Sequence, residues 1–357
     1  MIMDMSKKKQ TQTAGDNASQ NQFENLNNCN ITINDKEFIR AIATEVFAKE
    51  MLNLYRACTQ DAMKLAKERD KMFAETFIPR LEKIESILDS LKDPDFQFMI
   101  QDARETASKT DRKEDWELLS DLLIYHIEKG QSKFIDSGIK RAIKIVNELD
   151  LEALCALTVF CAFRYYTPAS GNIKDGLSVL NNLFGKLISI TLPTGDMWLD
   201  HLDLLGAIRV SPAIRFSKSK DFLCSIYTKF VCIGVKKGSD ELEKVIEILK
   251  TNNIPCSVLV NNECLDGYLR LDIANENELK IEEREALLQV RNYYSKDNVS
   301  MHLACDNFIK MWDSYKYLKI VREWWDTLPY AFSVSHLGRV LAQTNLKRID
   351  PTLPDLI

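Results

Sequence analysis

The residues whose types and spacing are best suited to chemistry lie close together between positions 196 and 203. Three carboxylates, Asp196, Asp200 and Asp203, stand near His201. Such a group could hold a divalent metal ion, or a carboxylate could orient the imidazole as a general base. On a helix, however, His201 lies about 100° around the axis from Asp200, whereas the three acids share one face. We therefore interpret the acids as a solvent-exposed face, and Asp200, His201 and Asp203 remain the candidates if the protein is an enzyme.

Neither the other histidines nor the glycine-containing loops form a recognised catalytic motif. His126, His302 and His336 each stand alone in a helical pattern. No nucleophile motif accompanies them, so we expect them at the surface or at the edge of the core. The segment from Gly234 to Gly238 lacks the spacing of phosphate-binding loops. We expect no catalytic residue, cofactor or metal, and the sequence leans against an enzyme without excluding one.

Cysteine usage and hydrophobic patterning indicate the compartment. The nine cysteines contain no C-x-x-C pair, and their odd number and scatter predict buried, reduced thiols rather than disulfides or a zinc site. The first residues are polar and lack the apolar stretch of an export signal. The longest apolar run, residues 151–163, is shorter than the about 20 residues of a membrane span. We expect a cytoplasmic protein without a membrane partner.

The charge balance is that of an ordinary globular protein. Lys and Arg number 47 against 52 Asp and Glu, which gives a net charge of -5. Proteins that rely on phosphate contacts concentrate positive charge, so nucleic-acid binding is not expected. The run Lys7-Lys8-Lys9 keeps it as an alternative, because oligomerisation could cluster several weak basic tails.

The first 34 residues differ in composition from the rest of the chain. Residues 10–34 contain seven Asn and four Gln. Within them, Cys29, Ile31 and Ile33 alternate with polar residues, as in a β-strand with one apolar face. An isolated strand needs a partner for its backbone hydrogen bonds. We expect this segment either to pair with copies of itself, which is the favoured interpretation, or to be a low-complexity polar tail.

A long helix is predicted after this segment. Neither Gly nor Pro occurs in residues 36–78, and Pro79 is expected to interrupt the helix. The apolar residues of one helical stripe are Ile39, Ile42, Ala43, Val46, Phe47, Leu54, Cys58, Ala62, Leu65 and Ala66. A helix of about 65 Å is longer than one small domain needs. We expect it to pack against sister helices as a coiled coil or to link an oligomerisation module to a body. The predicted oligomerisation residues are Cys29, Ile31, Ile33, Ile39, Ile42, Val46 and Phe47.

The whole sequence predicts a mainly α fold with a long N-terminal helix, a multi-helix body, a small β-hairpin and a short N-terminal β segment. The expected regions are a tail at 1–34, a helical connector at 35–91, a helical bundle at 92–212 and an α+β region at 213–357. Helices are predicted in the bundle at 114–129, 132–149, 151–165, 173–190 and 196–208. The last region is expected to hold a strand at 230–235, a helix at 239–250, a hairpin of 255–260 with 268–273, helices over 276–328, and a final helix that Ser335 caps.

Three blocks of the chain resemble an uncharacterised bacterial family known only by a pair of locus tags. The blocks are residues 12–22 with 31–34, residues 93–97 with 118–123, and residues 332–345. This sequence departs from the family pattern at Ala18, Ser333 and Leu341, where Ser, Thr and Ile are usual. The resemblance implies family membership and no activity. Similar Gly-Asp-Asn openings precede effector or sensor domains in some bacterial conflict proteins, which points by analogy to defence or stress response.

The leading functional hypothesis is a non-enzymatic oligomeric interaction, scaffold or sensor protein with an unknown protein partner. It follows from a polar strand pattern that needs partners and from an overlong amphipathic helix. The alternatives are an enzyme with a diffuse site near Asp200 and His201, and a nucleic-acid-binding regulator.

Overall fold

The computed structural model describes residues 36–84, 87–129, 132–273 and 279–356. Side-chain surroundings are described from residue 58 onward, except at 87–89. Internal contacts divide the chain into two compact units, Met1–Leu65 and Ala66–Ile357. The predicted strand around Cys29, Ile31 and Ile33 lies outside the described residues.

Helix α1 is the long helix that the sequence predicts. It spans Lys36–Leu81 and contains 46 residues. Pro79 lies inside the helix and does not interrupt it. A proline so near the helix end removes a hydrogen bond only in the last turn, where the remaining residues continue to Leu81. In the second unit, α1 buries Phe73 and Phe77 in the main core.

The second unit confirms the prediction of a mainly α fold. Its helices in the described ranges are α2 (Ile87–Lys92), α3 (Pro94–Ser108), α4 (Lys113–Lys129), α5 (Lys133–Ile145), α6 (Leu151–Tyr165), α7 (Ile173–Leu187), α8 (Met197–Leu204), α9 (Ser219–Ile226), α10 (Asp240–Thr251), α11 (Ile281–Asn292), α12 (Asn298–Asp313), α13 (Lys316–Asp326) and α14 (His336–Ile349). N-cap side chains explain where three of these helices begin. Asp93, Asp150 and Ser335 each accept a hydrogen bond from a backbone N–H of the first turn. None of the helices in the described ranges combines the length and apolar character needed to cross a membrane.

Helix α14 occupies the centre of the bundle. It packs against α4, α5, α6 and α7. Its central residues are buried whatever their polarity: Val340, Leu341, Ala342, Gln343, Thr344, Asn345 and Leu346. A helix that is covered on all sides in this way must satisfy its polar side chains through contacts with neighbouring elements.

A two-stranded antiparallel sheet joins the middle of the chain to its C-terminal part. Strand β1 (Ile208–Ser211) pairs with β5 (Ala331–Val334), with Ile208 opposite Val334. The prediction that helix 196–208 continues to Ile208 is therefore wrong. The chain leaves α8 at Leu204 and turns at Gly206, whose φ of 81° ends the helical conformation.

A second, smaller core forms around a three-stranded antiparallel sheet. The strands are β2 (Val235–Lys236), β3 (Leu259–Asn261) and β4 (Tyr268–Leu271), in the order β2-β4-β3. Helices α10 and α11 cover the sheet with Val245, Leu249, Leu287 and Val290. The predicted hairpin is confirmed with shorter strands, whereas the strand predicted at 230–235 is wrong except at Val235. Phe230 and Ile233 are buried. The apolar pattern at 230–235 therefore reflects burial in the core and not pairing in a sheet.

One cysteine pair departs from the prediction of reduced thiols. Cys224 of α9 and Cys305 of α12 form a disulfide with their Cα atoms 5.9 Å apart. Among the described residues the other cysteines are free thiols. Burial raises the pKa of the Cys161 thiol to about 12, so this buried cysteine stays protonated and unreactive.

Candidate functional site

Two members of the acidic cluster, His201 and Asp203, accept hydrogen bonds from backbone N–H groups. Nε2 of His201 accepts a hydrogen bond from the backbone N–H of Asp150 at 3.3 Å, which ties α8 to the start of α6. Oδ1 of Asp203 accepts from the backbone N–H of Val210 at 3.3 Å. Asp200 is exposed. Across the described ranges, no group of three or more His, Cys, Asp and Glu side chains could hold a metal ion.

All seven predicted oligomerisation residues lie outside the part of the chain with described side chains. Cys29, Ile31 and Ile33 precede the described residues. Ile39, Ile42, Val46 and Phe47 lie in helix α1, but their side chains are not described. The predicted apolar stripe continues into the described part of the same unit at Cys58, Ala62 and Leu65.

Every side chain from residue 58 to residue 65 is exposed. Leu65 and Met63 expose 47% and 58% of their surface, and they lie on nearly opposite faces of α1. Cys58 is also exposed. This segment is thus helical and exposed within the part of the chain that the structure describes.

A cavity of about 330 Å³ lies between helices α4 and α14. Helix α4 contributes Asp121, Ile124, Tyr125 and Glu128. Helix α14 contributes Thr344, Lys347 and Arg348. Both sets follow the spacing of three and four residues that places side chains on one helix face. The two helices therefore face each other with polar as well as apolar side chains at this point of an otherwise apolar bundle.

Two of the residues that line this cavity each carry a buried polar atom without a hydrogen-bond partner among the described residues. Thr344 is 3% exposed, and its hydroxyl oxygen has no hydrogen-bond partner among the described residues. The same is true of Oδ2 of Asp121. By contrast, the neighbours of Thr344 in sequence are satisfied. Asn345 donates to Oγ1 of Thr158 at 2.8 Å, and Oε1 of Gln343 accepts from the backbone N–H of Leu356 at 2.6 Å.

Two guanidinium groups stand close to Asp121. Arg80 of α1 donates to Oδ1 of Asp121 at 2.7 Å. Burial raises the pKa of Asp121 above its ordinary range, and the charges of Arg80 and Arg348 oppose that increase. Ionisation of the Asp121 carboxyl group is therefore opposed by burial. The positive charges of Arg80 and Arg348 partly offset this effect.

Ion pairs also line the cavity. Asp355 accepts from Lys347 at 3.1 Å and lies 3.5 Å from Lys129. The segment that carries Asp355 follows α14 and is held by the hydroxyl of Tyr166, which donates to the carbonyl oxygen of Pro354 at 2.7 Å. The C-terminal segment thus closes one side of the cavity.

Sequence reasoning missed these cavity residues. The block at 332–345 resembles a family pattern, but nothing in it predicts which of its polar residues lack partners. The available signal was the run Gln343-Thr344-Asn345 inside an apolar helix, because three consecutive polar residues cannot all face solvent when the flanking residues are core. Asp121 lies on α4, far away in sequence, and only the fold brings the two together.

His126 lies at the edge of the core, half-buried between a phenylalanine and a carboxylate. Its Nδ1 lies 3.3 Å from Oδ1 of Asp136, and its ring stacks on Phe96. Lys140 forms ion pairs with both Asp136 and Asp95. Burial lowers the pKa of His126 below its ordinary value of 6.5, and the carboxylates of Asp136 and Asp95 oppose this without reversing it.

We expect His126 to make stability depend on pH. Its pKa is lower in the folded chain than in the unfolded chain, so its contribution is complete above about pH 6.5. The contribution is lost as the pH falls below that value towards the folded pKa, because the unfolded state then binds the proton more readily. The free energy of unfolding, measured by urea titration between pH 7 and pH 5, should fall more steeply for the natural protein than for His126→Gln. An unchanged slope in His126→Gln would contradict the assignment.

The comparisons with known proteins give a family and no activity. A model of an uncharacterised protein family, named only by a locus tag, matches residues 11–355. Searches of curated proteins and of solved structures found no match. The matched residues cover almost the whole chain and include all three blocks that suggested the resemblance. The chain belongs to this uncharacterised family.

Proposed function

We propose that the protein is a non-enzymatic interaction protein that self-associates through its N-terminal unit. The observation that carries the proposal is the exposed helical segment of residues 58–65. It continues the apolar stripe that includes Phe47 and Leu54 in the sequence.

An uncovered helix of this kind gains little stability by itself. Isolated helices are marginal in water, and most helical stability in proteins comes from packing an apolar face against another element. Leu65 exposes 47% of its surface. Phe47, Leu54, Cys58 and Leu65 follow one another at intervals of seven, four and seven residues. Such intervals keep side chains on the seam of a coiled coil, so a second copy of the same helix fits the stripe.

The second unit is suited to binding a protein partner. The second unit has its own large core, so it can fold as a body that assembly of the first unit would present in several copies. Multiple copies raise the effective concentration of a weak binding surface. We propose a cytoplasmic setting in bacterial defence or stress response, which the Gly-Asp-Asn type of N-terminal segment supports.

Leu65→Glu should reduce the mass of the assembly in solution. A carboxylate in the seam of a coiled coil must be desolvated or must separate the helices, so we expect the full chain to shift from oligomer towards monomer. Light scattering after size exclusion gives the absolute mass. The matched control is Met63→Glu, because Met63 is as exposed as Leu65 but lies on nearly the opposite face of α1.

Two outcomes would count against this proposal. If the natural protein is a monomer at all concentrations tested, self-association is excluded as its mode of action. If Leu65→Glu and Met63→Glu change the mass equally, the stripe does not form the interface.

A further inference from the structure

The disulfide between Cys224 and Cys305 lies close to the points where the chain leaves the helical bundle for the small core and returns from it. Cys224 is in α9, before the small core begins, and Cys305 is in α12, after it ends. The two cysteines are 81 residues apart, and the chain between them contains all three strands of the second sheet together with α10 and α11. The bond therefore closes the neck of an inserted region, which we call the small-core insert (residues 235–292).

Non-covalent contacts also attach the small-core insert to the helical bundle. Nη1 of Arg270 donates to the carbonyl oxygen of Gly171, and the side-chain amide of Asn307 in α12 donates to the carbonyl oxygen of Cys264 at 3.0 Å. Cys264 lies between β3 and β4 of the insert, yet its side chain is 1% exposed and packs in the main core. Separation of the insert from the bundle would therefore uncover the thiol of Cys264.

The disulfide restricts the opening of the neck. A cross-link between distant residues lowers the entropy of every state in which the ends of the enclosed loop separate. Lys220 of α9 and Asp306 of α12 form an ion pair between the same two helices, but their side chains are 43% and 49% exposed, so the pair contributes little. Loss of the covalent bond should therefore raise the population of molecules in which the insert has separated from the bundle.

The pair is also better placed for reaction than the buried thiols. Cys224 is half-buried at the edge of the main core, whereas Cys305 is 9% exposed. A thiolate from solvent can therefore reach Sγ of Cys224. The free thiols of Cys155, Cys161 and Cys264 are buried, and burial raises the pKa of each, which keeps them protonated and unreactive.

We propose that Cys224 and Cys305 form a redox-responsive site that controls the attachment of the small-core insert: the disulfide holds the insert against the bundle, and reduction releases it. Disulfides in cytoplasmic proteins are usually transient and redox-sensing. The physiological role thus rests on the proposed cytoplasmic setting, whereas the chemistry of the pair does not depend on self-association.

Both directions of the switch use thiol–disulfide and peroxide chemistry. In reduction, a thiolate of a dithiol attacks Sγ of Cys224, the S–S bond breaks, and Cys305 leaves as a thiolate that takes up a proton. The second thiol of the reductant then attacks the mixed disulfide, which releases Cys224 and leaves the reductant as a cyclic disulfide. In oxidation by hydrogen peroxide, one thiolate attacks a peroxide oxygen and becomes a sulfenic acid, and the other thiol displaces its oxygen to form the S–S bond. Two thiols and one peroxide give one disulfide and two molecules of water.

Alkylation of Cys264 in the full-length protein measures release of the insert. The oxidised protein is compared with protein that has been reduced by dithiothreitol and desalted without air. Each form is treated with N-ethylmaleimide, and mass spectrometry of peptides follows the labelling of each cysteine. Cys264 should react about tenfold faster or more in the reduced form, because opening of the neck is no longer restrained. Cys161 in α6 is the internal control, since it is equally buried and its pKa is also raised to about 12, and its rate should not change.

Serine variants test the pair without a reductant. Cys224→Ser and Cys305→Ser each remove the bond, so Cys264 should react in both as it does in the reduced natural protein. Cys256→Ser is the matched control, because it removes an exposed thiol of the insert and leaves the pair at the neck intact. It should keep the difference between the oxidised and reduced forms. Hydrogen peroxide added to the reduced natural protein should restore the slow rate.

Three results would overturn the inference. The first is a Cys224–Cys305 bond that dithiothreitol does not reduce in the folded protein, and the second is an equal rate of Cys264 labelling with and without the bond. The third is an equal acceleration at Cys161, which would mean that reduction opens the whole bundle. The same labelling of Leu65→Glu separates this proposal from self-association, because a variant that no longer assembles should keep the redox dependence.

Discussion

Replacing Glu263 with glutamine is expected to lower the free energy of unfolding by about 3 kcal/mol, because it leaves the buried charge of Arg270 without a counter-charge. Arg270 is 1% exposed. Its Nε donates to Oε2 of Glu263 at 3.0 Å, and its Nη2 donates to Oε1 at 3.2 Å. A glutamine side chain is neutral and has one acceptor oxygen, so it cannot replace both charged hydrogen bonds. The guanidinium group of Arg270 would then stay buried, with its desolvation cost, but without its strongest partner.

The same arginine links the two cores of the second unit. Its Nη1 donates to the carbonyl oxygen of Gly171 at 3.0 Å, in the loop between α6 and α7. It also donates to the carbonyl oxygen of Leu271 at 3.2 Å. The loss in Glu263→Gln should therefore appear as destabilisation of both the small sheet and its attachment to the helical bundle. Hydrogen exchange of the amides in β3 and β4 would localise it.

An exposed ion pair supplies the matched control. Arg104 binds Asp70 with two hydrogen bonds of 2.8 and 2.7 Å, but its side chain is 60% exposed. Asp70→Asn should cost no more than about 1 kcal/mol, because water replaces most of what the pair contributes. Urea denaturation followed by circular dichroism measures both variants. If Glu263→Gln and Asp70→Asn lowered the free energy of unfolding equally, the burial of Arg270 would not determine the size of the loss.

The helices could be predicted because their signals are local. The pair Asp93-Pro94 combines a side chain that accepts from the first turn with a residue that needs no N–H there. Ser239 and Ser335 cap their helices in the same way. Such signals act within four residues, so the sequence contains them in full.

The parts that were mispredicted or missed depend on distant residues. Strand β1 exists because Ile208–Ser211 meets Ala331–Val334, more than 100 residues later. Cys224 and Cys305 are separated by 81 residues. His126 of α4 meets Asp136 of α5. In each case the residues were visible in the sequence, but the contact is a property of the fold.

The candidate cavity also depends on contacts between residues that are distant in sequence. Thr344 looks like one polar residue among several in α14, and its neighbours Gln343 and Asn345 are equally buried. Only the positions of Thr158 and Leu356 show that those neighbours have partners. Distinguishing a satisfied polar residue from an unsatisfied one therefore requires coordinates.

Gly234→Ala is expected to destabilise the small core by about 3 kcal/mol or more, from two effects that act together. Gly234 has a φ of 81°, a conformation that costs alanine about 1–2 kcal/mol. A Cβ at this position would also meet the backbone carbonyl oxygen of Leu269 well inside van der Waals contact. Leu269 is paired with Val235 across β2 and β4, so the carbonyl group cannot move away without breaking the pairing.

Gly238 separates the two effects, because it has the same backbone conformation without the steric conflict. Its φ is 73°, and a Cβ added there meets nothing within 4 Å. Gly238→Ala should therefore show only the conformational cost of about 1–2 kcal/mol, and the difference between the two variants in urea denaturation measures the close approach of Gly234 to β4. If the two variants lose equal stability, the sheet accommodates the added methyl group, and the tight contact between the segment before β2 and strand β4 does not help to hold the small core together.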